Sequence, residues 1–117
     1  MERVQRHSSR FTVWLPVRVK ELPEGMAITH NASGGGLLMV TATTIDVGSP
    51  VSITISVPPE GSPEKSVHGR VVRVEPNSED PDGMWPHKMA VEFDHPVPEL
   101  DEVLRNLAGA GIAKIQH

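Results

Sequence analysis

From Phe11 onward the hydrophobic positions fall on every second residue: Phe11, Val13, Leu15, Val17 and Val19 alternate with Thr12, Trp14, Pro16, Arg18 and Lys20. A period of two sends one set of side chains to a covered face and the other to solvent, which predicts a half-buried strand. Pro16 falls on the outward phase and lacks an N–H, so an edge position or a bulge is expected there. Leu22 to Gly25 has turn composition, and Met26 to His30 predicts a short strand that ends in a loop at Asn31 to Gly36. Gly35 to Thr41 is apolar on both phases and is expected to be covered on both sides. After a turn at Asp46 to Pro50, Val51, Ile53, Ile55 and Val57 alternate with Ser52, Thr54 and Ser56 as a further strand. Pro58 to Pro63 reads as a loop.

Residues 65 to 75 carry a strand pattern with a slip of phase. Val67, Gly69 and Val71 share one parity, while Val72 and Val74 carry the apolar character onward, so a β-bulge is predicted at Val71–Val72. Pro76 to Pro86 is a long polar loop, and Met89, Val91 and Phe93 alternate with Ala90, Glu92 and Asp94 as the last strand. Six strands at short intervals predict a mainly all-β fold, a closed or nearly closed six-stranded antiparallel barrel, since closure removes exposed sheet edges. The tail then changes period. Pro98 stands at a first helical position, Glu99, Asp101 and Glu102 load the positive end of the helix dipole, and Leu100, Val103, Leu104 and Leu107 form one stripe. A short C-terminal helix over about 98–108, stopped by Gly109, is expected to plug the barrel. Residues 110 to 117 are expected to fray, with Ile112 and Ile115 available to extend the packing.

Composition narrows the function classes. A chain of 117 residues fits one domain, here 11–117, preceded by a flexible arm over 1–10 that has no apolar periodicity. The absence of cysteine removes disulfides, thiolate chemistry and cysteine-ligated zinc, and suits a reducing cytoplasm. Apolar runs such as Gly36 to Val40 are too short to cross a bilayer, and no signal-peptide pattern follows the N-terminal arginines, so a soluble cytoplasmic protein without membrane contact is expected.

The net charge of -4 is unevenly placed. Residues 1 to 20 hold five bases (Arg3, Arg6, Arg10, Arg18, Lys20) and one acid (Glu2), a formal +4; the remaining six bases and fourteen acids give -8. A short basic segment on an acidic body points to a small anionic partner and away from a nucleic acid polymer. Phe11, Trp14, Trp85 and Phe93, with no tyrosine, are little material for a base-stacking platform.

Asn31-Ala32-Ser33-Gly34-Gly35-Gly36 carries the candidate chemistry. Asn31 and Ser33 offer hydrogen-bonding groups from nearly one point, and glycine lets a ligand approach the main chain. The same residue types also make an ordinary hairpin turn, and on the loop alone both readings stand.

Two motifs together give the chain a family resemblance. Arg6-His7-Ser8-Ser9-Arg10 matches RxxxR in an N-terminal arm, and Asn31-Ala32-Ser33-Gly34-Gly35-Gly36 matches (D/N)xSxxG after the following strand. With the stretch Gly69 to Val74 and the closing strand Met89 to Phe93, the chain resembles the PilZ domain family over nearly its whole length. The resemblance implies a PilZ-like split barrel and a receptor or adaptor, not an enzyme. It implies that the bacterial second messenger cyclic di-GMP is the ligand, with no cofactor, and that an unidentified downstream protein receives the signal. Arg6 and Arg10 would hold guanine and phosphate, Asn31 and Ser33 a guanine edge, and Gly35 and Gly36 would let the turn lie beneath the base. Arg3 and His7 are additional candidate contacts.

The residue chemistry agrees with that assignment. Guanine O6 and N7 match the guanidinium fork, phosphodiesters take charge-assisted bonds from the same group, and the N1–H/N2–H edge needs an acceptor such as the Asn31 oxygen. Departures from the family pattern are Asn31 where many members have Asp, Gly34 where a larger residue is common and a looser loop is expected, and Gln5 ahead of the first motif arginine. Binding of one molecule or of a stacked pair stays open. The alternative function is a PilZ-like protein-interaction module that binds no nucleotide.

Other chemistries have less behind them. No two of His7, His30, His68, His87, His95 and His117 stand at local metal-ligand spacing, so no metal site is expected. No nucleophile–base–orienter set is visible around Ser33, so no catalytic residue is assigned. The Glu79, Asp80 and Asp82 group and His68 read as solvated, and Trp14 either packs on the C-terminal helix or marks a partner-binding patch.

Overall fold

A computed structural model describes residues 9–116. Its strands are β1 (Phe11–Thr12), β2 (Pro16–Val19), β3 (Met26–Ser33), β4 (Gly36–Thr41), β5 (Pro50–Ile55), β6 (Lys65–Pro76), β7 (His87–Phe93) and β8 (Lys114–Ile115), with helix α1 (Pro98–Gly109) between β7 and β8. Six of them run in the order β2-β5-β6-β7-β4-β3, and pairing of β2 with β3 closes the antiparallel barrel. The short strands β1 and β8 extend the sheet beyond β3.

The long alternating run at the start of the domain is two strands and not one. Its inward residues Phe11, Val13, Leu15, Val17 and Val19 are all buried, as the period requires, but the ladder is interrupted between Thr12 and Pro16. The buried Thr29 hydroxyl fills the gap: it accepts the Leu15 N–H at 2.9 Å and donates to the Val13 carbonyl at 2.5 Å. A register shift between Thr29 and Asn31 in β3 lies opposite. Pro16 opens β2, where a strand tolerates proline.

The predicted bulge in β6 is present: Val71 pairs with Val91, and the next paired residue, Arg73, faces Ala90. Val72 is the extra residue and is exposed. It reverses the parity of the strand, so Val71 lies in the core, Arg73 faces outward and Val74 packs inward again.

Helix α1 closes the barrel with Leu100, Leu104 and Leu107, all buried, and Val103 partly so. Pro98 occupies the first turn as expected. The stop differs from expectation. Gly109 is the last helical residue, and the left-handed position two residues on is Gly111, φ 82°. The Ile112 N–H then donates to the Leu107 carbonyl at 2.8 Å. The segment after the helix is also not frayed over the described residues. Ala113 is buried where Ile112 and Ile115 are about half exposed, and β8 pairs antiparallel with β1. Among the described residues no helix is long and apolar enough to cross a membrane.

Candidate functional site

Strand β3 does not stop at His30; it carries Asn31 and Ser33 within its own ladder. Asn31 is therefore a strand residue paired with Leu38 and Thr12, and the turn to β4 is only Gly34–Gly35. The local period explains the outcome. Ala32 is buried in the core, so Asn31 and Ser33 share the opposite, outer face. Ser33 shapes the turn: its hydroxyl accepts the Gly35 N–H at 3.1 Å and donates to the Gly36 carbonyl at 3.3 Å.

None of the three glycines has a positive φ. Close approach, and not a left-handed backbone, is what excludes a side chain. A Cβ on Gly36 would lie 2.3 Å from the Val91 carbonyl oxygen of β7. At Gly34 a Cβ would meet the Asp101 carboxylate and the Val97 carbonyl of the helix entry. Gly34 is instead tied to that entry, its N–H donating to Asp101 Oδ1 at 2.8 Å and its carbonyl accepting the Val97 N–H at 2.7 Å. The expected loosening at Gly34 is thus replaced by a clamp. At Gly35 a Cβ would touch only the Ser33 hydroxyl, at 3.8 Å, and that side of the turn is open.

Arg10 stands at the entry to β1. Its carbonyl accepts the Gln116 N–H at 2.8 Å, and its Nη1 donates to Asn31 Oδ1 at 2.5 Å. Burial of the guanidinium, and after it the like charge of Arg73, hold Arg10 below the ordinary arginine value. Arginine remains protonated at neutral pH all the same.

Arg10, Asn31, Ser33, Gly35 and Gly36 all line one outer-face cleft of about 560 Å³. Arg3, Arg6 and His7 lie outside the described residues. Sequence reasoning missed the far half of the cleft, which is made by Val72, Arg73, Ala90 and Glu92, with Leu38 on the floor. Strand pairing aligns them: Asn31 faces Leu38, Leu38 faces Ala90, and Ala90 faces Arg73 across β3, β4, β7 and β6. The bulge at Val72 was the available signal, since it turns Arg73 outward, but the strand order that brings Arg73 opposite Asn31 is not written in any local pattern.

Two other expectations concern side chains away from the cleft. Trp14 is exposed, and its ring meets the His30 ring edge-on, with centroids 4.9 Å apart. His68 is exposed as expected, with Nδ1 3.2 Å from the Ser52 hydroxyl.

A sequence model described as PilZ domain matches residues 4–110. Among solved structures, the inhibitor of motility MotI/DgrA of Bacillus subtilis is similar at 21% identity and TM-score 0.69, covering 95% of this chain and 54% of that one. The chain thus spans about half the length of MotI/DgrA. The PilZ domain of CeSA from a cellulose-synthesizing bacterium is similar at 18% identity and TM-score 0.51, covering 87% of this chain and 97% of that domain. At these identities the likeness shows the shared fold. A search of curated proteins finds no match.

Proposed function

The chain belongs to the PilZ domain family, generally a cyclic di-GMP-binding module, and from that premise we propose that it is a cyclic di-GMP receptor that relays the messenger to a partner protein. The observation that carries this reading is the convergence of Arg10, Asn31, Ser33, Gly35 and Gly36 on one cleft. Its size falls within the roughly 300–1,000 Å³ usual for small-molecule sites.

The chemistry follows from the groups present. Arg10 is already held at the cleft by Asn31, so part of the ordering entropy of its side chain is spent before a ligand arrives. The Asn31 oxygen has two lone pairs and can accept a guanine N–H while keeping Arg10. Arg10 then meets a phosphodiester or the O6/N7 pair with its remaining donors, and Arg6 supplies a second guanidinium from the arm. Gly35 lets a base lie on the open side of the turn. A ligand pressing there acts on Gly34, whose two bonds to the helix entry offer a path from the cleft to α1 and to a protein bound near it.

Calorimetry on the wild type, Arg10→Ala and Asn31→Ala tests the reading. The wild type should bind cyclic di-GMP, and Arg10→Ala should lose about 2 kcal/mol or more, roughly thirtyfold. Asn31→Ala should lose preference for cyclic di-GMP over cyclic di-AMP. A wild type that binds neither nucleotide refutes the proposal and leaves an interaction module of the same fold.

A further inference from the structure

We propose that Arg73 is a third anion-binding arginine, closing the far side of the cleft on a phosphodiester of the bound dinucleotide. The inference rests on the nucleotide reading above and extends it to a residue outside both motifs.

The placement is set by the sheet. Asn31, Leu38, Ala90 and Arg73 form one cross-strand row on the outer face. Three strand spacings separate the backbones of the first and last, about 14 Å. Arg10 stands at the Asn31 end, and the floor between is apolar or side-chain-free, formed by Leu38, Ala90 and Gly36. A ligand lying along this row meets a guanidinium at each end.

Arg73 stands there because Val72 is left unpaired; were Val72 paired with Ala90 instead, the alternation of β6 would turn Arg73 toward the core. The Arg73 side chain is 60% exposed, and its Nε donates to Glu75 Oε2 at 2.6 Å. That pair engages one of five N–H donors, so the rest of the fork is available to a second anion.

The field in the cleft points the same way. After burial, the positive charge of Arg73 works against protonation of Arg10, so an anion between the two would offset that repulsion. Glu92 also lines the cleft and would repel a bare polyanion. A carboxylate does accept the N1–H/N2–H edge of guanine, so the lining as a whole suits a ligand that carries phosphates and donor edges together.

The test is calorimetry with cyclic di-GMP on the full chain, with Arg73→Ala, Arg73→Lys, Glu75→Gln and the Arg10→Ala reference. Arg73→Ala should bind about tenfold more weakly, at unchanged stoichiometry and melting temperature. Its affinity should also fall less steeply with salt than that of the wild type, because one screened charge contact has been removed. Arg73→Lys should recover only part of the loss, because a point charge replaces a fork. Glu75→Gln should bind several-fold tighter by releasing the guanidinium. Wild-type affinity and salt slope in Arg73→Ala, with binding lost in Arg10→Ala, would overturn the role of Arg73 and leave the nucleotide reading intact. Weaker binding by Glu75→Gln would also overturn it. No binding by the wild type would remove both.

Discussion

A methyl group on Gly36 would have to share space with a backbone carbonyl of β7, and backbone in the middle of a closed barrel cannot step aside as a side chain does. Gly36→Ala should therefore destabilise the fold by about 1–3 kcal/mol, the usual range for an overpacked site. Gly35→Ala meets nothing closer than the Ser33 hydroxyl and should leave stability within about 0.5 kcal/mol, yet it places a methyl group on the open side of the turn, where a base would lie. Thermal melts alongside cyclic di-GMP titrations separate the two: Gly36→Ala should lower the melting temperature clearly, while Gly35→Ala should melt like the wild type and bind more weakly. Equal melting temperatures for the two variants would contradict the distinction. The motif spacing marked both glycines, but a sequence cannot say which is demanded by a neighbouring strand and which has open space beside it. That difference is a matter of β7 passing within van der Waals reach of one and not the other.

At the scale of elements, what was legible is what depends on local period. The six barrel strands, the bulge in β6 and the stripe of α1 follow from which side of the chain is apolar, and burial confirms each. What was not legible depends on a distant partner. The break between β1 and β2 is made by Thr29, whose hydroxyl takes over ladder bonds from a position fourteen to sixteen residues away. Strand β8 exists because α1 delivers its C-terminal end beside β1, and Lys114–Ile115 has no strand pattern of its own. The near half of the candidate site was visible in the motifs, whereas the far half needed the β4–β7–β6 pairing. The bulge gives this distinction a test. Deleting Val72 removes only the unpaired residue: Arg73 then follows Val71 directly, still opposite Ala90 and still on the outer face, and every later pair keeps its partner. The deletion variant should therefore still melt cooperatively, whereas inserting one residue between Arg73 and Val74 would turn Val74 outward or shift every later pair, and should destabilise the fold. Val72→Ala keeps the residue count at an exposed position and should melt within a few degrees of the wild type. A deletion variant that loses its cooperative melt would mean that Val72 is not the extra residue of β6.

The whole molecule presents a cationic lead segment, +4 over residues 1–20, beside a body that carries -8. Among the described bases of that segment, Arg10 lines the cleft, while Arg18 is bound bidentately to Glu64 on the barrel exterior and is neutralised locally. Binding of a small dianion should therefore depend on two or three guanidinium contacts and on little else of the protein's charge. Such contacts are screened over a Debye length of about 10 Å at 0.1 M salt, so cyclic di-GMP affinity should fall several-fold between about 50 and 500 mM salt. A longer polyanion faces a different balance: each phosphate beyond the cleft meets an acidic surface, and the repulsion grows with length while the number of arginines does not. Single-stranded DNA at equal phosphate concentration should consequently fail to displace cyclic di-GMP at low salt, where an electrostatic competitor is at its strongest. Fluorescence anisotropy of a labelled cyclic dinucleotide, titrated with salt and then with an oligonucleotide, reads both effects in one assay. Displacement by the oligonucleotide, or an affinity indifferent to salt, would show that the cleft does not work through a few arginines set against an acidic body.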